Sequence, residues 1–218
     1  MQSARPFSRE EFESAPRTLM RQGHAANACV YHFCWQGLEW TVKDFASKGW
    51  LVRHLLGPLV LWRERKNLSR LAGVEGVPQR VFRIDAMALA IEYVPGDKIS
   101  HLVRDSGDIP VALLEQMEAL MNRVHAAGML HLDARGMGNW IVRPEGTPAL
   151  IDFQTALGTR WMPARLRSLL EDLDMSGVLR KWEQFHPEAM GVERKKRLER
   201  GSRLRHLWPV KGYLGLRK

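Results

Sequence analysis

The sequence has few of the features that mark disulfide-rich, membrane-spanning or secreted proteins. Its 218 residues include 2 cysteines, too few for a disulfide scaffold. Cys29 and Cys34 fall in one predicted strand, where their odd separation points them to opposite faces, so we expect two reduced thiols. No apolar run approaches the roughly 18 residues that cross a bilayer. Residues 1–20 contain acids where a signal peptide needs an apolar run, so we expect a cytoplasmic protein.

The composition favours a globular chain with anionic partners. Apolar residues make up 45% of the sequence, enough for a sizeable core, and the length suits one domain or two small lobes. The net charge is +9 and the pI is near 10. That excess of positive charge favours nucleotides, phospholipid head groups or nucleic acid as partners.

Hydrophobic periodicity predicts a small sheet followed by helices. The expected strands are residues 28–35, 38–45, 81–84 and 87–93. The expected helices are residues 55–71, 110–127, 166–173 and 175–182. Helix 110–127 would hold rigid the loop that follows it, and Asp172 and Asp174 would brace that loop from below.

A polar constellation is centred on residues 131–153. The apolar runs 140–142 and 149–151 are separated by a turn sequence, Arg-Pro-Glu-Gly-Thr, and should pair as a hairpin. Pairing would place Asn139 beside Asp152, with Asp133 on the loop that leads in. One amide oxygen and two carboxylates would then converge, and these are the hard oxygen ligands that Mg²⁺ prefers.

The pattern of His131, Asp133, Asn139 and Asp152-Phe153 resembles the catalytic loop and metal-binding segment of the protein-kinase-like superfamily. Within it the chain is most similar to the small bacterial kinases of lipopolysaccharide core sugars (Kdo and heptose kinases) and to the related toluene tolerance proteins. The resemblance covers roughly residues 20–180. Asp133 and Asn139 are six residues apart rather than the usual five, and a longer loop is a feature of that small bacterial branch.

The resemblance implies an α+β, bilobal protein-kinase-like fold that uses ATP and Mg²⁺. It implies an N-lobe over about 20–93 with a small antiparallel sheet, a hinge at 92–97 and a reduced helical C-lobe over about 98–190. Asp133 would be catalytic with Arg135 near the phosphate, and Asn139 and Asp152 would hold the metal. The resemblance implies that Lys43, held by Glu64, binds the nucleotide phosphates and that backbone groups near Glu92 to Val94 bind the adenine. It also implies that Ala90 lines the back of the base pocket, with Val42 above the base and Ile141 below it. His131 is expected to shape the loop rather than act as a base.

Two departures from the family pattern bear on function. No G-x-G-x-x-G precedes the strands, and the nearest small segment, residues 21–27, has a single glycine. Gln154 follows Asp152-Phe153, and the segment after it is short and lacks Ala-Pro-Glu. The short segment argues against a regulated eukaryotic-type protein kinase and for a constitutive kinase of a small molecule or glycolipid.

The basic C-terminal tail, residues 191–218, interleaves bases with apolar and aromatic residues. Such a composition suits docking on the anionic inner membrane, and it also suits RNA. We therefore expect an ATP-dependent kinase of a lipopolysaccharide core sugar or related glycolipid, cytoplasmic and peripheral on the inner membrane. The alternatives are a RIO-like serine/threonine protein kinase and a pseudokinase that binds a partner without transferring phosphate.

Overall fold

The structure, a computed structural model, describes residues 5–207, which fall into two compact units. The first unit runs to Gly73 and includes Pro78–Val94. The second comprises Val74–Val77 and the chain from Pro95 onward. The predicted α+β class with a small antiparallel sheet is confirmed. Among the described residues, no helix is both long enough and apolar enough to cross a membrane.

The first unit is built on a five-stranded antiparallel sheet of order β1-β2-β3-β5-β4. Its elements are α1 (Arg9–Ser14), β1 (Arg17–Arg21), β2 (Cys29–Trp35), β3 (Leu38–Asp44), α2 (Gly57–Arg70), β4 (Val81–Arg83) and β5 (Ala88–Glu92). A π-helical turn at Val52–Leu56 leads into α2. The four predicted strands are present within one or two residues of their expected ends. α1 and β1 were not expected, because each is short and carries little periodicity.

An aromatic cluster forms the core on one face of this sheet. Phe7 and Phe12, which come before β1, pack edge-on against Phe33 of β2 with ring centroids 4.8 and 5.2 Å away. Trp40 and Val42 of β3 belong to the same buried cluster. The opposite face of the sheet is covered by α2, which contacts β4 and β5.

The second unit is mostly helical, with two small sheets. Its elements are β6 (Asp97–Lys98), α3 (Ile99–Ser106), α4 (Val111–Ala126), β7 (Met129–Leu130), β8 (Trp140–Val142), β9 (Pro148–Leu150), β10 (Leu157–Gly158), α5 (Ala164–Phe185) and α6 (Gly191–Leu207). β6, β8 and β9 form one sheet, and β7 pairs with β10. Short 3₁₀ turns occupy Met137–Asn139 and Phe153–Thr155.

The helices at the end of the chain differ from the sequence prediction. The two helices expected at 166–173 and 175–182 are one continuous helix, α5, because nothing between them breaks the backbone hydrogen bonding. Residues 191–207 of the predicted basic tail form α6, which packs along α5. Arg197 and Arg200 of α6 contact Asp172 at 2.7 and 2.9 Å. Residues 208–218 of the tail lie outside the described residues.

Candidate functional site

A buried ion pair joins the strand lysine and the helix glutamate of the first unit. Lys43 Nζ lies 2.6 and 2.8 Å from the two carboxylate oxygens of Glu64. Glu64 is fully buried and Lys43 is 7% exposed. Alternation along β3 turns Lys43 toward α2, and the helical spacing of Leu61, Glu64 and Leu68 turns the glutamate toward the sheet.

Val42 and Ala90, two residues expected to line a base pocket, lie on the other face of the sheet. Both are completely buried in the aromatic cluster. Adjacent strand residues point to opposite faces, so Val42 cannot share a surface with Lys43. β3 pairs with β5 so that Val42 lies opposite Ala90 and Lys43 lies opposite Leu89. Ala90 therefore lies on the same face of the sheet as Val42, away from Lys43. These two assignments are therefore wrong.

The side chains that do share the face of Lys43 are Thr41, Leu89 and Ile91. They follow from the register of β3 with β5, in which Thr41 pairs with Ile91 and Lys43 with Leu89. Leu89 is fully buried and Ile91 is 6% exposed. Sequence reasoning missed them although the alternation of apolar and polar residues over 38–44 contained the signal.

Some of the backbone groups expected to bind an adenine already form hydrogen bonds within the first unit. The N–H of Glu92 donates to Arg80 O at 2.7 Å, and the N–H of Tyr93 donates to Glu39 O at 3.1 Å. The Glu92 carboxylate accepts from Arg80 at 2.9 Å. Val94, half-buried, is the last residue of this unit. The N–H groups of Glu92 and Tyr93 are thus engaged within the first unit, and adenine binding by backbone groups near Glu92 to Val94 stays a prediction.

In the second unit the predicted hairpin forms and sets the positions of Asn139 and Asp152. β8 and β9 pair antiparallel with Trp140 opposite Leu150 and Ile141 opposite Ala149. The N–H of Ile151 donates to Asn139 O at 2.9 Å, so Asp152 comes one residue after the partner of Asn139. Ile141, proposed below the base, is 6% exposed in the middle of β8.

Asn139 ties Asp133 to the start of the hairpin. Its Nδ2 donates to Asp133 Oδ2 at 2.9 Å and to the Asp133 carbonyl at 3.0 Å. Because the nitrogen end of the amide is committed to Asp133, Oδ1 is the end that could bind a cation. Asn139 Oδ1 and the carboxylates of Asp133 and Asp152 are hard oxygen donors of the kind that suits Mg²⁺.

His131 fastens the loop at 131–139 to the end of β9, and its bonds define its protonation. Its Nδ1 accepts from the N–H of Asp133 at 3.2 Å, while Nε2 lies 3.0 Å from Ile151 O. Nε2 faces a carbonyl and must donate, whereas Nδ1 faces an N–H and must accept. These two bonds correspond to the neutral Nε2–H tautomer of the ring. The ring also packs edge-on against Phe153 at 4.7 Å. A ring fixed in this way positions the loop and leaves no nitrogen to act as a base.

Asp174 of α5 holds the same loop from the other side. Its carboxylate accepts from the N–H of His131 at 2.7 Å, the N–H of Leu132 at 2.8 Å and Nε2 of His125 at 3.0 Å. Burial by itself raises the pKa of Asp174, but the His125 and backbone hydrogen bonds outweigh it and leave the pKa below its ordinary value. Asp174 therefore braces the loop as an anion, whereas Asp172 binds α6 instead.

Lys181 and Gly177 complete this bracing, and sequence reasoning missed both. Lys181 Nζ donates to the carbonyls of Ala134 and Arg135 in the loop at 3.1 and 3.0 Å. A Cβ at Gly177 would lie 2.7 Å from the backbone nitrogen of Arg135, so only glycine lets α5 approach so closely. Residues 174, 177 and 181 share one helix face, and the polar and small residues at that spacing were the available signal.

Two residues of the candidate site, Leu132 and Asp152, adopt left-handed backbone conformations. Leu132, just before Asp133, has φ 64°, and Asp152 has φ 70°. Such conformations cost a non-glycine residue roughly 1–3 kcal/mol and persist where neighbouring groups enforce them. The bond from Leu132 to Asp174 is one such constraint.

Comparison with models of known protein families and with curated proteins finds no match to this chain.

Arg135 and a surface cluster of the first unit also present charged or metal-ligating groups. Arg135 is exposed, so its guanidinium is available to an anion at the surface of the loop. In the first unit, His32, Cys34 and Glu39 place their ligating atoms within 4.8 Å of one another. A 3.1 Å hydrogen bond between His32 and Glu39 accounts for part of this grouping.

Proposed function

We propose that the protein is a phosphotransferase with a bilobal kinase-like fold that moves phosphate from ATP·Mg²⁺ to a hydroxyl. The observation that carries the proposal is the Lys43–Glu64 pair, in which both charges are removed from water. A buried ion pair is a weak source of stability compared with apolar residues of the same size. Its presence favours a role for the ammonium, and a fixed positive charge is what a triphosphate requires.

Each residue of the second unit has a distinct task in this proposal. Asp133, oriented by Asn139, would accept the proton of the acceptor hydroxyl, and Asn139 and Asp152 would hold the metal. The metal ion, when bound, would neutralise phosphate charge. Asp174 and Lys181 act on the chemistry only by fixing the loop, since catalytic geometry tolerates little displacement.

The proposed acceptor is a lipopolysaccharide core sugar or a related glycolipid. Only eleven residues separate Asp152 from the start of α5. Within that segment, Phe153–Thr155 is a 3₁₀ turn and Leu157–Gly158 is a strand. A segment this short and structured suits a constitutive enzyme better than a kinase switched by phosphorylation of a long loop.

The test is transfer of labelled phosphate from ATP to core oligosaccharide, with a general protein substrate in parallel. Asp133→Asn should reduce transfer by about 10²-fold or more, the usual range for a proton-transfer group. It should leave the thermal shift produced by ATP and Mg²⁺ intact. Asp105→Asn is the control, because Asp105 is an exposed aspartate paired only with its neighbour Arg104.

The results separate the candidate functions. Transfer to protein alone would favour a RIO-like kinase, and ATP binding without transfer to any acceptor would favour a pseudokinase. An unaltered rate in Asp133→Asn would remove Asp133 from the mechanism.

A further inference from the structure

The segment that leads into α2 exposes large apolar side chains in a continuous stretch of the first unit. Trp50 and Leu51 are 64% and 63% exposed, and Leu55, Leu59 and Trp62 are 57%, 54% and 46% exposed. Isolated apolar residues are common on protein surfaces, but a contiguous group of this size marks an interaction site. We refer to these five residues as the apolar face.

The apolar face is distinct from the side of α2 that packs on the sheet. Leu51, Leu55, Leu59 and Trp62 follow one another at separations of four, four and three residues, which is helical spacing. The buried side of the helix is formed instead by Leu61, Glu64 and Leu68. The helix is therefore apolar on two sides and buries one of them among the described residues.

The exposed charges on the helical segment 52–70, which carries most of the apolar face, are of one sign. Residues 46–74 contain six bases and a single acid, Glu64, which is buried against Lys43. The four bases exposed on α2 are Arg63, Arg65, Lys66 and Arg70. Lys66 Nζ lies 4.7 Å above the ring of Trp62, so a base and an aromatic ring of the face are presented together. A helical segment with exposed tryptophan and leucine, several exposed bases and no exposed acid has the composition of a helix that lies in a membrane interface.

We propose that the apolar face docks the protein on the surface of an anionic lipid bilayer. The leucines would enter the boundary between head groups and acyl chains, the tryptophans would lie at head-group level, and the flanking bases would contact lipid phosphates. The charge pattern favours lipid over a protein partner, since the exposed residues of 52–70 include no acid with which a mixed-charge protein surface could pair. The inference does not depend on phosphoryl transfer.

The proposal moves membrane contact from the basic tail to the first unit. In α6, Arg194 is held by Glu118 at 2.7 Å, and Arg197 and Arg200 are held by Asp172. These guanidiniums already have carboxylate partners in the second unit. The bases beside the apolar face are exposed next to apolar side chains that lipid can cover.

The experiment is flotation of the full chain with vesicles of phosphatidylethanolamine and phosphatidylglycerol, and with vesicles of phosphatidylcholine alone. The wild type should float with the anionic vesicles and bind phosphatidylcholine much less. Leu55→Gln with Leu59→Gln should weaken binding about tenfold or more, because both side chains lose their contribution to apolar burial. Arg63→Gln with Arg65→Gln should weaken it by a similar factor, since both bases lose their attraction to anionic lipid.

Two matched controls make the test specific. Leu19→Gln with Met20→Gln changes exposed residues of β1 in the same unit, 47% and 51% exposed, and should leave binding unchanged. Lys211→Gln with Lys218→Gln reduces the charge of the tail and should have little effect. Circular dichroism of each variant should match that of the wild type, which checks that a change in vesicle binding does not come from unfolding.

Three outcomes would overturn the proposal. One is undiminished vesicle binding by the Leu55/Leu59 variant, and another is loss of binding in the tail variant alone. The third is a wild-type dimer in sedimentation velocity that the Leu55/Leu59 change converts to a monomer without any change in vesicle binding. That result would assign the face to contact between copies of the chain.

Discussion

Replacing Gly177 by alanine sets two physical effects against each other with opposite signs. In an exposed helix interior, alanine is more favourable than glycine by about 1 kcal/mol. Here the new Cβ would lie 2.7 Å from Arg135 N, 3.0 Å from Arg135 Cα and 3.1 Å from Ala134 C. All three are backbone atoms, so no side-chain rotation can relieve the overlap.

The magnitude follows from the size of that overlap. Ordinary van der Waals contact begins near 3.4 Å, so α5 and the loop must separate by roughly 0.7 Å. Overpacking of this kind costs about 1–3 kcal/mol. It outweighs the helix preference, and we expect Gly177→Ala to destabilise the protein by about 1–2 kcal/mol. Under the proposed function, a displacement of this size beside Asp133 should also reduce phosphate transfer by up to about 10²-fold.

Urea unfolding monitored by circular dichroism measures the stability change, and hydrogen exchange of peptides covering 130–140 reports whether the loop loosens. Gly138→Ala is the matched control, because it lies in the same loop and its added Cβ would meet nothing within 4 Å. A stabilised Gly177→Ala protein with unchanged exchange in the loop would refute the argument that α5 sets the loop position.

Three further predictions concern buried charges. Asp174→Asn should lower the free energy of unfolding in urea by about 3 kcal/mol, because the new amide nitrogen would face an N–H donor and leave that group unsatisfied. A decrease no larger than that from substitution of an exposed aspartate would contradict this. The pKa of Asp174 is lower in the folded protein than in the unfolded chain. Its stabilising contribution is therefore complete above the unfolded pKa of about 3.9 and is lost as the pH falls through the folded pKa. In acid titration, Asp174→Asn should lose less unfolding free energy than the wild type. Lys43→Met should lower the free energy of unfolding by about 3–5 kcal/mol. Adding Glu64→Leu should restore most of that stability but not the thermal shift produced by ATP. Phosphate transfer at the wild-type rate by the double variant would exclude Lys43 from nucleotide binding.

Local patterns in the sequence predicted the elements and several of the near contacts. The hairpin at 140–150 and helix 110–127 follow from periodicity and turn residues within each segment, and both are present. The Asn139 contact with Asp133 spans six residues and forms inside one loop. The predicted pairing of Lys43 with Glu64 came from family resemblance, and the structure brings the two groups together.

Contacts between distant segments could not be predicted in the same way. The error over Val42 and Ala90 arose because a strand has two faces, and the partner that covers each face is a property of the packed unit. The two helices predicted over 166–182 are one helix for a related reason, because the sequence between them contains no helix-breaking residue that would show where one helix ends.

The sequence by itself determined the main strands and the long helices, because alternation with period two or 3.6 is written into consecutive residues. It also predicted the hairpin that places Asn139 near Asp152, and that hairpin is present. Only the tertiary structure decided that Asp174, Gly177 and Lys181 hold the loop, that Phe7 and Phe12 complete the core, and that the apolar face of α2 remains uncovered among the described residues. Each of these depends on which surfaces meet after distant parts of the chain pack together, and burial is a property of the assembled fold.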